Sequence, residues 1–198
     1  MSDYNKNKKR FNQEILKGRL SKIEFWAMNN AVRRWLQRNV ELKVFQRFLK
    51  KQNIDLNNKA ILDAGCGSGY STEIISKIFN PSKIIAFDLM PEQIKLAQKR
   101  RTDAVFYTGD INKIKFPDNT FDAVFIFGVI HHVCSWKKAL KEISRVLKNR
   151  GALLIEEPRV IFKWNEFENE LNSIGYEILE KVKLMGNYFK SYLCILKE

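Results

Sequence analysis

Apolar and polar positions alternate with two different periods between residues 59 and 175. Short apolar runs bounded by turn residues predict buried strands, and these runs are KAILDA (59–64), KIIAFDL (83–89), AVFYTGD (104–110), FDAVFIFGVI (121–130) and GALLIEE (151–157). Apolar residues at three- and four-residue steps predict helices between them, in STEIISKIF (71–79), PEQIKLAQKRR (91–101), SWKKALKEISRVLK (135–148) and FKWNEFENELNSIG (162–175). Regular alternation of strand and helix predicts a doubly wound, mostly parallel sheet.

The C-terminal pattern changes to two strand-like segments in succession. YEILEKVKL (176–184) and YFKSYLCILK (188–197) flank the turn residues MGN, which predicts an antiparallel hairpin. The expected fold is therefore α/β, with seven strands and an antiparallel C-terminal hairpin. Because such sheets bind ligands at the carboxyl ends of their parallel strands, we expect functional residues directly after each strand.

The N-terminal third reads as helical over residues 24–51. Apolar residues recur there at helical spacing and are expected to pack on the sheet domain: Val32, Trp35, Leu36, Val40, Val44 and Phe48. We therefore divide the chain into a basic helical extension, residues 1–54, and a sheet domain, residues 55–198.

Charge is concentrated in this extension. The net charge of the 198-residue chain is +13, and residues 1–58 hold 14 Lys or Arg against 5 Asp or Glu, hence +9 of the total. Such a bias indicates either a solvated helix face or a surface that binds anions such as RNA or membrane lipid.

Other classes of protein are disfavoured by composition. No apolar run approaches the roughly 20 residues of a transmembrane helix, and the first 13 residues contain no apolar signal-peptide core. Three widely spaced Cys predict neither a disulfide framework nor a zinc site, and no metal is expected. These features favour a cytoplasmic location.

A glycine-rich loop follows the first strand in AILDAGCGSGY (60–70). Glycine lets the backbone turn sharply and approach a ligand closely. The dinucleotide fingerprint G-x-G-x-x-G would need glycine at position 70, where Tyr70 stands, and no P-loop Lys-Ser/Thr follows. A tight turn without a ligand is the alternative, but Asp63 at the strand end argues against it.

Acidic residues end the next two strands. Asp88 can accept hydrogen bonds from ribose hydroxyls or cap the following helix. Leu89 and Met90 beside it can contact a base or belong to the core. Asp110 can accept from an adenine amino group, with the Ile111 N–H nearby, or simply form a turn.

The segments ILDAGCGSGYST, IIAFDL, YTGDINKIKFPDNTFDAVFIFGVIHHV and ALKEISRVLKNRGALLIEE together resemble the successive motifs of class I S-adenosylmethionine-dependent methyltransferases. The resemblance covers about residues 55–198 and is nearest to small enzymes related to ubiquinone/menaquinone C-methyltransferases. It implies S-adenosylmethionine as cofactor, with Asp88 at the ribose and Asp110 at the adenine. It also places two groups of residues, beside the methionine part and beside the methyl group respectively: Asp63, Gly65, Cys66, Gly67 and Gly69; Phe127 and Gly128.

Candidate catalytic residues follow the fourth strand. His131 and His132 are the only histidines of the chain, and an imidazole suits proton removal if the acceptor carries a proton into the reaction. Structural packing is the alternative role for both. Cys134 follows them and is a candidate for the acceptor site.

Glu156 and Glu157 end the fifth strand. Strand alternation sends one side chain to each face. The inward one can bind a cationic acceptor or pair with Arg159, and an ordinary strand-end salt bridge is the alternative.

By the same resemblance, the N-terminal helices form a lid with Trp26, Met28, Asn29 and Arg33 as candidate contacts. The expected function is methyl transfer to a small-molecule or lipid-like acceptor, and the basic extension would favour an anionic one. An RNA methyltransferase using the basic helices is a second hypothesis, and a cofactor-binding module without turnover is a third. The acceptor, the methylated atom and the oligomeric state are left open by the sequence.

Overall fold

The computed structural model describes residues 30–158 and 163–197. The strands are β1 Ala60–Ala64, β2 Lys83–Asp88, β3 Val105–Thr108, β4 Phe121–Phe127, β5 Leu147–Pro158, β6 Tyr176–Leu184 and β7 Phe189–Leu196. The helices are α1 Ala31–Leu36, α2 Leu42–Lys51, α3 Tyr70–Phe79, α4 Pro91–Ala97, α5 Trp136–Val146 and α6 Trp164–Ile174. A π-helical segment, Gln37–Glu41, joins α1 to α2, and a 3₁₀ turn, Ile130–His132, follows β4.

All seven strands form one sheet in the order β3-β2-β1-β4-β5-β7-β6. The first five are parallel, whereas β7 is antiparallel to both β5 and β6. The predicted sheet and its C-terminal hairpin are thus confirmed. Because β1 pairs with both β2 and β4, the direction of winding reverses between β1 and β4, and ligands bind at such a reversal.

Apolar side chains alternate along the central strands and build two cores. On β4, Val124 and Ile126 face the core shared with α5 and α6. Ala123, Phe125 and Phe127 face the core shared with α2 and α3. The sheet is therefore covered on both faces, as its nearly continuous apolar strands require.

Some element boundaries differ from the sequence predictions. The helix expected over 91–101 ends at Ala97, and β4 stops at Phe127, before the 3₁₀ turn. Strand β5 begins earlier than expected, at Leu147, because Phe121 of β4 already pairs there. None of the helices in the described ranges combines the length and apolarity needed to cross a bilayer.

The packing expected for the N-terminal helix is wrong at its beginning. Val44 and Phe48 are buried, but Val32 is 67% and Trp35 is 59% exposed. The π-helical segment adds residues to the turn and rotates the apolar stripe between α1 and α2. Moreover, α2 ends shortly before β1 begins, and Glu41, directly before α2, contacts Glu156 near the end of β5, so α1 lies toward the carboxyl edge of the sheet.

Candidate functional site

The glycine loop after β1 is shaped by contacts on two sides. A Cβ at Gly65 would overlap the side chain of Val129, and one at Gly69 would lie 2.8 Å from Ala97 Cβ. Gly67 has φ +52° and no neighbouring atom within 4 Å of such a Cβ. Packing therefore excludes larger residues at the two outer glycines, whereas the backbone of Gly67 faces open space.

Hydrogen bonds hold this loop in position. The Gly67 N–H donates to Asp88 Oδ2 at 2.9 Å, and the Met90 N–H donates to Asp88 Oδ1 at 2.9 Å. On the outer side, Arg100 Nε donates to the Ser68 carbonyl at 2.9 Å, and its guanidinium lies 5.5 Å from the Tyr70 ring centroid. Tyr70 thus serves as a packing surface for Arg100 at the position where a dinucleotide loop would have glycine.

Asp88 combines burial with remaining acceptor capacity. Desolvation by burial raises the pKa of its carboxyl group. Backbone N–H groups of Gly67, Leu89 and Met90 donate hydrogen bonds to its oxygens, and a carboxylate with about four lone-pair positions can still accept a further donor. The adjacent Leu89 side chain is 54% exposed and offers an apolar surface. These features fit the ribose and base of an adenosyl group, and the open backbone of Gly67 fits the close approach of such a ligand.

Asp63 lies behind the loop rather than at its surface. Its Oδ2 accepts from the Ser71 hydroxyl at 2.7 Å and from the Thr72 hydroxyl at 2.6 Å. Burial raises the pKa of this carboxyl group to about 6. Asp63 therefore ties the end of β1 to the first turn of α3, and Cys66 beside it is also buried.

Asp110 is exposed and forms the turn that the sequence left as an alternative. Its Oδ1 accepts from the backbone N–H of Asn112 at 2.8 Å and from the Asn112 side chain at 3.1 Å. Ile111 is buried beneath this turn. The adenine contact of both residues stays a prediction.

Glu157 organises the turn after β4. Its Oε1 accepts from the N–H groups of Val129 and Ile130 at 2.9 and 2.8 Å. Its Oε2 accepts from the His131 N–H at 3.2 Å and lies 2.7 Å from His131 Nδ1. Because three backbone donors already converge on this buried carboxylate, it acts as an acceptor, and we assign the ring proton of His131 to Nδ1. Nε2 is then the basic nitrogen.

His131 lies next to the predicted methyl-group position. Its Cε1 would be 3.6 Å from a Cβ placed on Gly128, and its ring centroid is 3.9 Å from that of His132. Phe127 is buried against Phe45 on the other face of the sheet, whereas Cys134 is exposed. Since Val129 also packs on Gly65, the turn that carries His131 contacts the glycine loop directly.

Glu156 points to the opposite face of the sheet, where it contacts another carboxyl group. It accepts from the Ser191 hydroxyl at 2.8 Å and contacts Glu41, whose carboxylate pairs with Arg33. Desolvation, and then the negative charge of Glu41, raise the pKa of Glu156 well above its usual range. A hydrogen bond between two carboxyl groups requires a proton on one of them. The two side chains thus point to opposite faces, as alternation along the strand predicts, but both are buried.

The other lid candidates, Trp26, Met28 and Asn29, lie outside the described residues, as does Arg159. Arg33 is described and is half-buried. Among residues 30–158 and 163–197, no group of three or more His, Cys, Asp or Glu is arranged to hold a metal ion.

Several residues that shape the site were missed by the sequence analysis. Ser71 and Thr72 are hydroxyl residues in the first helical turn, a position typical of capping contacts that could have indicated their role. Glu41 and Ser191 carry no local signal, because they meet Glu156 only after the helix and the hairpin have packed.

Comparisons with known proteins agree with this arrangement. Residues 62–155 match the family model described as methyltransferase domain. Fatty-acid O-methyltransferase of Mycolicibacterium smegmatis is 29% identical over 129 residues, which make up 64% of this chain and 47% of that protein. Demethylmenaquinone methyltransferase of Renibacterium salmoninarum is 36% identical over 97 residues, 49% of this chain and 40% of that protein.

A solved structure supports the fold over more of the chain. The crystal structure of an S-adenosylmethionine-dependent methyltransferase from Aquifex aeolicus matches with a TM-score of 0.74 at 21% identity, over 90% of this chain and 100% of its own. By contrast, this chain spans about half the length of the curated relatives it matches.

Proposed function

We propose that this chain, whose residues 62–155 match a methyltransferase domain, is a class I S-adenosylmethionine-dependent methyltransferase that transfers a methyl group to a small, lipid-like acceptor. The single observation that carries this proposal is the Glu157–His131 pair, held beside Gly128 on a turn whose Val129 packs against Gly65 of the glycine loop. The names of the relatives, a fatty-acid and a demethylmenaquinone methyltransferase, support a lipid-like acceptor.

S-adenosylmethionine is the cofactor of this domain and supplies an activated methyl group on its sulfonium. In our proposal Asp88 binds the ribose, Leu89 and the turn at Asp110 contact the adenine, and the open backbone at Gly67 lies against the ligand. Methyl transfer is an in-line displacement, so orientation of the acceptor can supply most of the rate. The contacts that keep the loop rigid serve that purpose.

The chain's own chemical contribution is proton removal by His131. Glu157 holds Nδ1–H, so Nε2 faces away from the carboxylate and accepts the proton that the acceptor loses. The ring of His132 packs beside that of His131 at an interplanar angle of 41° and belongs to the same turn. The extension of residues 1–54 then serves as a lid, a role supported by the Arg33–Glu41–Glu156 contact at the end of β5.

The direct test is transfer of labelled methyl groups from S-adenosylmethionine. Purified chain is incubated with a long-chain fatty acid, a hydroxylated lipid, a quinol or bulk RNA, and labelled products are separated by solvent extraction. We expect label in the organic phase with at least one lipid-like compound. Label that enters only RNA would favour the RNA methyltransferase, and cofactor binding without transfer to any acceptor would favour a module without turnover.

Asp88 allows a test of the cofactor site that is independent of the acceptor. Asp88→Ala removes a charged acceptor from the ribose, so we expect affinity for S-adenosylmethionine to fall by about 1.5–3 kcal/mol, roughly tenfold to a hundredfold in Kd. Calorimetric titration measures this change, and Asp103→Ala, at an exposed residue outside the site, is the control. An unchanged Kd in a folded Asp88→Ala protein would restrict Asp88 to holding the loop.

A further inference from the structure

Four of the seven large apolar side chains that are exposed among the described residues lie on two segments near the end of β5. Val32 and Trp35 lie on α1, and Met185 and Tyr188 lie in the turn between β6 and β7; they are 53–67% exposed. We call these four residues the apolar rim. Because β6 runs parallel to β5, its end at Leu184 lies at the carboxyl edge of the sheet, so this turn lies at the same edge as the proposed acceptor site.

The two halves of the rim are anchored by the same contact. Glu41, which ends the π-helical segment after α1, meets Glu156, and Ser191, close to the start of β7, donates to the same Glu156 carboxylate. The rim therefore flanks the end of β5. By comparison, Val105, another exposed apolar residue, begins β3 at the opposite edge of the sheet.

The helical segments that follow α1, which carries half of the rim, expose a row of cations. Arg38, Lys43, Arg47 and Lys50 are all exposed on the outer face of the π-helical segment and α2. Glu41 is the only acidic residue between positions 31 and 54, and it is buried. The opposite face of α2 is occupied by the core through Phe45, Phe48 and Leu49. One partner can therefore contact both the apolar residues of α1 and the cations of the helical segments that follow it. We call these cations the basic face.

We propose that the apolar rim and this basic face dock the protein on an anionic phospholipid bilayer. Aliphatic, thioether and aromatic side chains enter the boundary between headgroups and acyl chains, where Trp and Tyr are preferred. The adjoining Lys and Arg are attracted by the negative surface. RNA is less well matched, because Val32 and Met185 have no ring on which a base can stack. Docking in this orientation brings the acceptor site toward the bilayer.

Vesicle flotation with the full-length chain tests this proposal. We expect binding to vesicles of equal phosphatidylglycerol and phosphatidylcholine, and much weaker binding to phosphatidylcholine alone. Trp35→Ser should reduce the affinity by about tenfold, since it removes one apolar side chain that would become buried in the bilayer. Met185→Asn should reduce the affinity similarly. Asn is chosen because it tolerates the positive φ of position 185 in this turn. Each of Arg38→Gln and Lys43→Gln should cost about fivefold.

Two matched substitutions control for general effects of apolarity and charge. Val105→Thr removes exposed apolar surface at the opposite edge, and Lys95→Gln removes an exposed cation from α4; both should leave vesicle binding unchanged. The proposal is overturned if the chain does not bind anionic vesicles, or if the rim variants bind as well as the controls. It is also overturned if the rim variants instead lose single-stranded RNA binding or dissociate a dimer in sedimentation. Because vesicle binding needs no turnover, its failure is distinguishable from failure of the proposed methyl transfer.

Discussion

His131→Gln is expected to lower kcat about 10²- to 10⁴-fold, the usual contribution of a general base. Glutamine can still donate a hydrogen bond to Glu157, so the turn after β4 keeps its contacts, but its amide cannot take up a proton. The loss should therefore fall on kcat, whereas the Kd for S-adenosylmethionine should hardly change. Steady-state kinetics with the acceptor found by the labelling experiment, together with a calorimetric titration of the cofactor, separate these two effects.

The neighbouring histidine provides a matched control. His132→Gln changes the same residue type one position later, whereas Glu157 contacts the ring of His131. We expect a change of less than about tenfold in kcat for His132→Gln. If both variants retain the full kcat, proton removal by His131 is excluded and the pair has a structural role only.

Glu157→Gln and Glu156→Gln, at adjacent positions, are expected to change stability in opposite directions. Glu157 accepts from three backbone N–H groups and the His131 ring, and glutamine would turn an NH₂ group toward some of those donors. Hydrogen bonds to a charged acceptor contribute about 1.5–3 kcal/mol each, so we expect Glu157→Gln to lower the free energy of unfolding by about 3 kcal/mol or more.

For Glu156 the charge itself is unfavourable. Burial and the adjacent Glu41 raise the folded-state pKa of Glu156 above its ordinary value of 4.5. A carboxyl group with a raised folded pKa contributes stability that is present at low pH and is lost as pH rises above its unfolded value. Glu156→Gln keeps the protonated shape without the charge. It should therefore be neutral or stabilising near neutral pH and should reduce the fall in stability as pH rises above the ordinary value of 4.5.

Urea unfolding at several pH values measures both effects. Asp63 and Asp88 also have raised pKa values, so the wild-type curve slopes in the same direction, and each variant must be compared with it at every pH. A Glu156→Gln protein that is as strongly destabilised as Glu157→Gln at neutral pH would show that Glu156 is ionised and paired, contrary to the acidic contact with Glu41.

Local pattern was sufficient for the fold and for the position of the site. Period-two and period-3.6 apolar patterns reflect which side of a strand or helix is buried, and strand–helix alternation permits few topologies. The seven strands and the C-terminal hairpin could therefore be predicted. The glycines of 65–69 and Asp88 could be identified because a turn at a strand end needs particular residue types in consecutive positions.

Contacts between distant segments were decided only by the tertiary structure. Nothing near Glu157 in sequence indicates that it accepts from the turn at residues 129–131. Parallel pairing of β4 and β5 brings together these groups, which are 26 to 28 positions apart in the chain. The acidic contact of Glu41 with Glu156 likewise depends on how α2 packs on the sheet. The exposure of Val32 and Trp35 goes with the π-helical segment that separates α1 from α2. Helical periodicity specifies which residues share a face, but only packing determines whether a surface exists to cover that face.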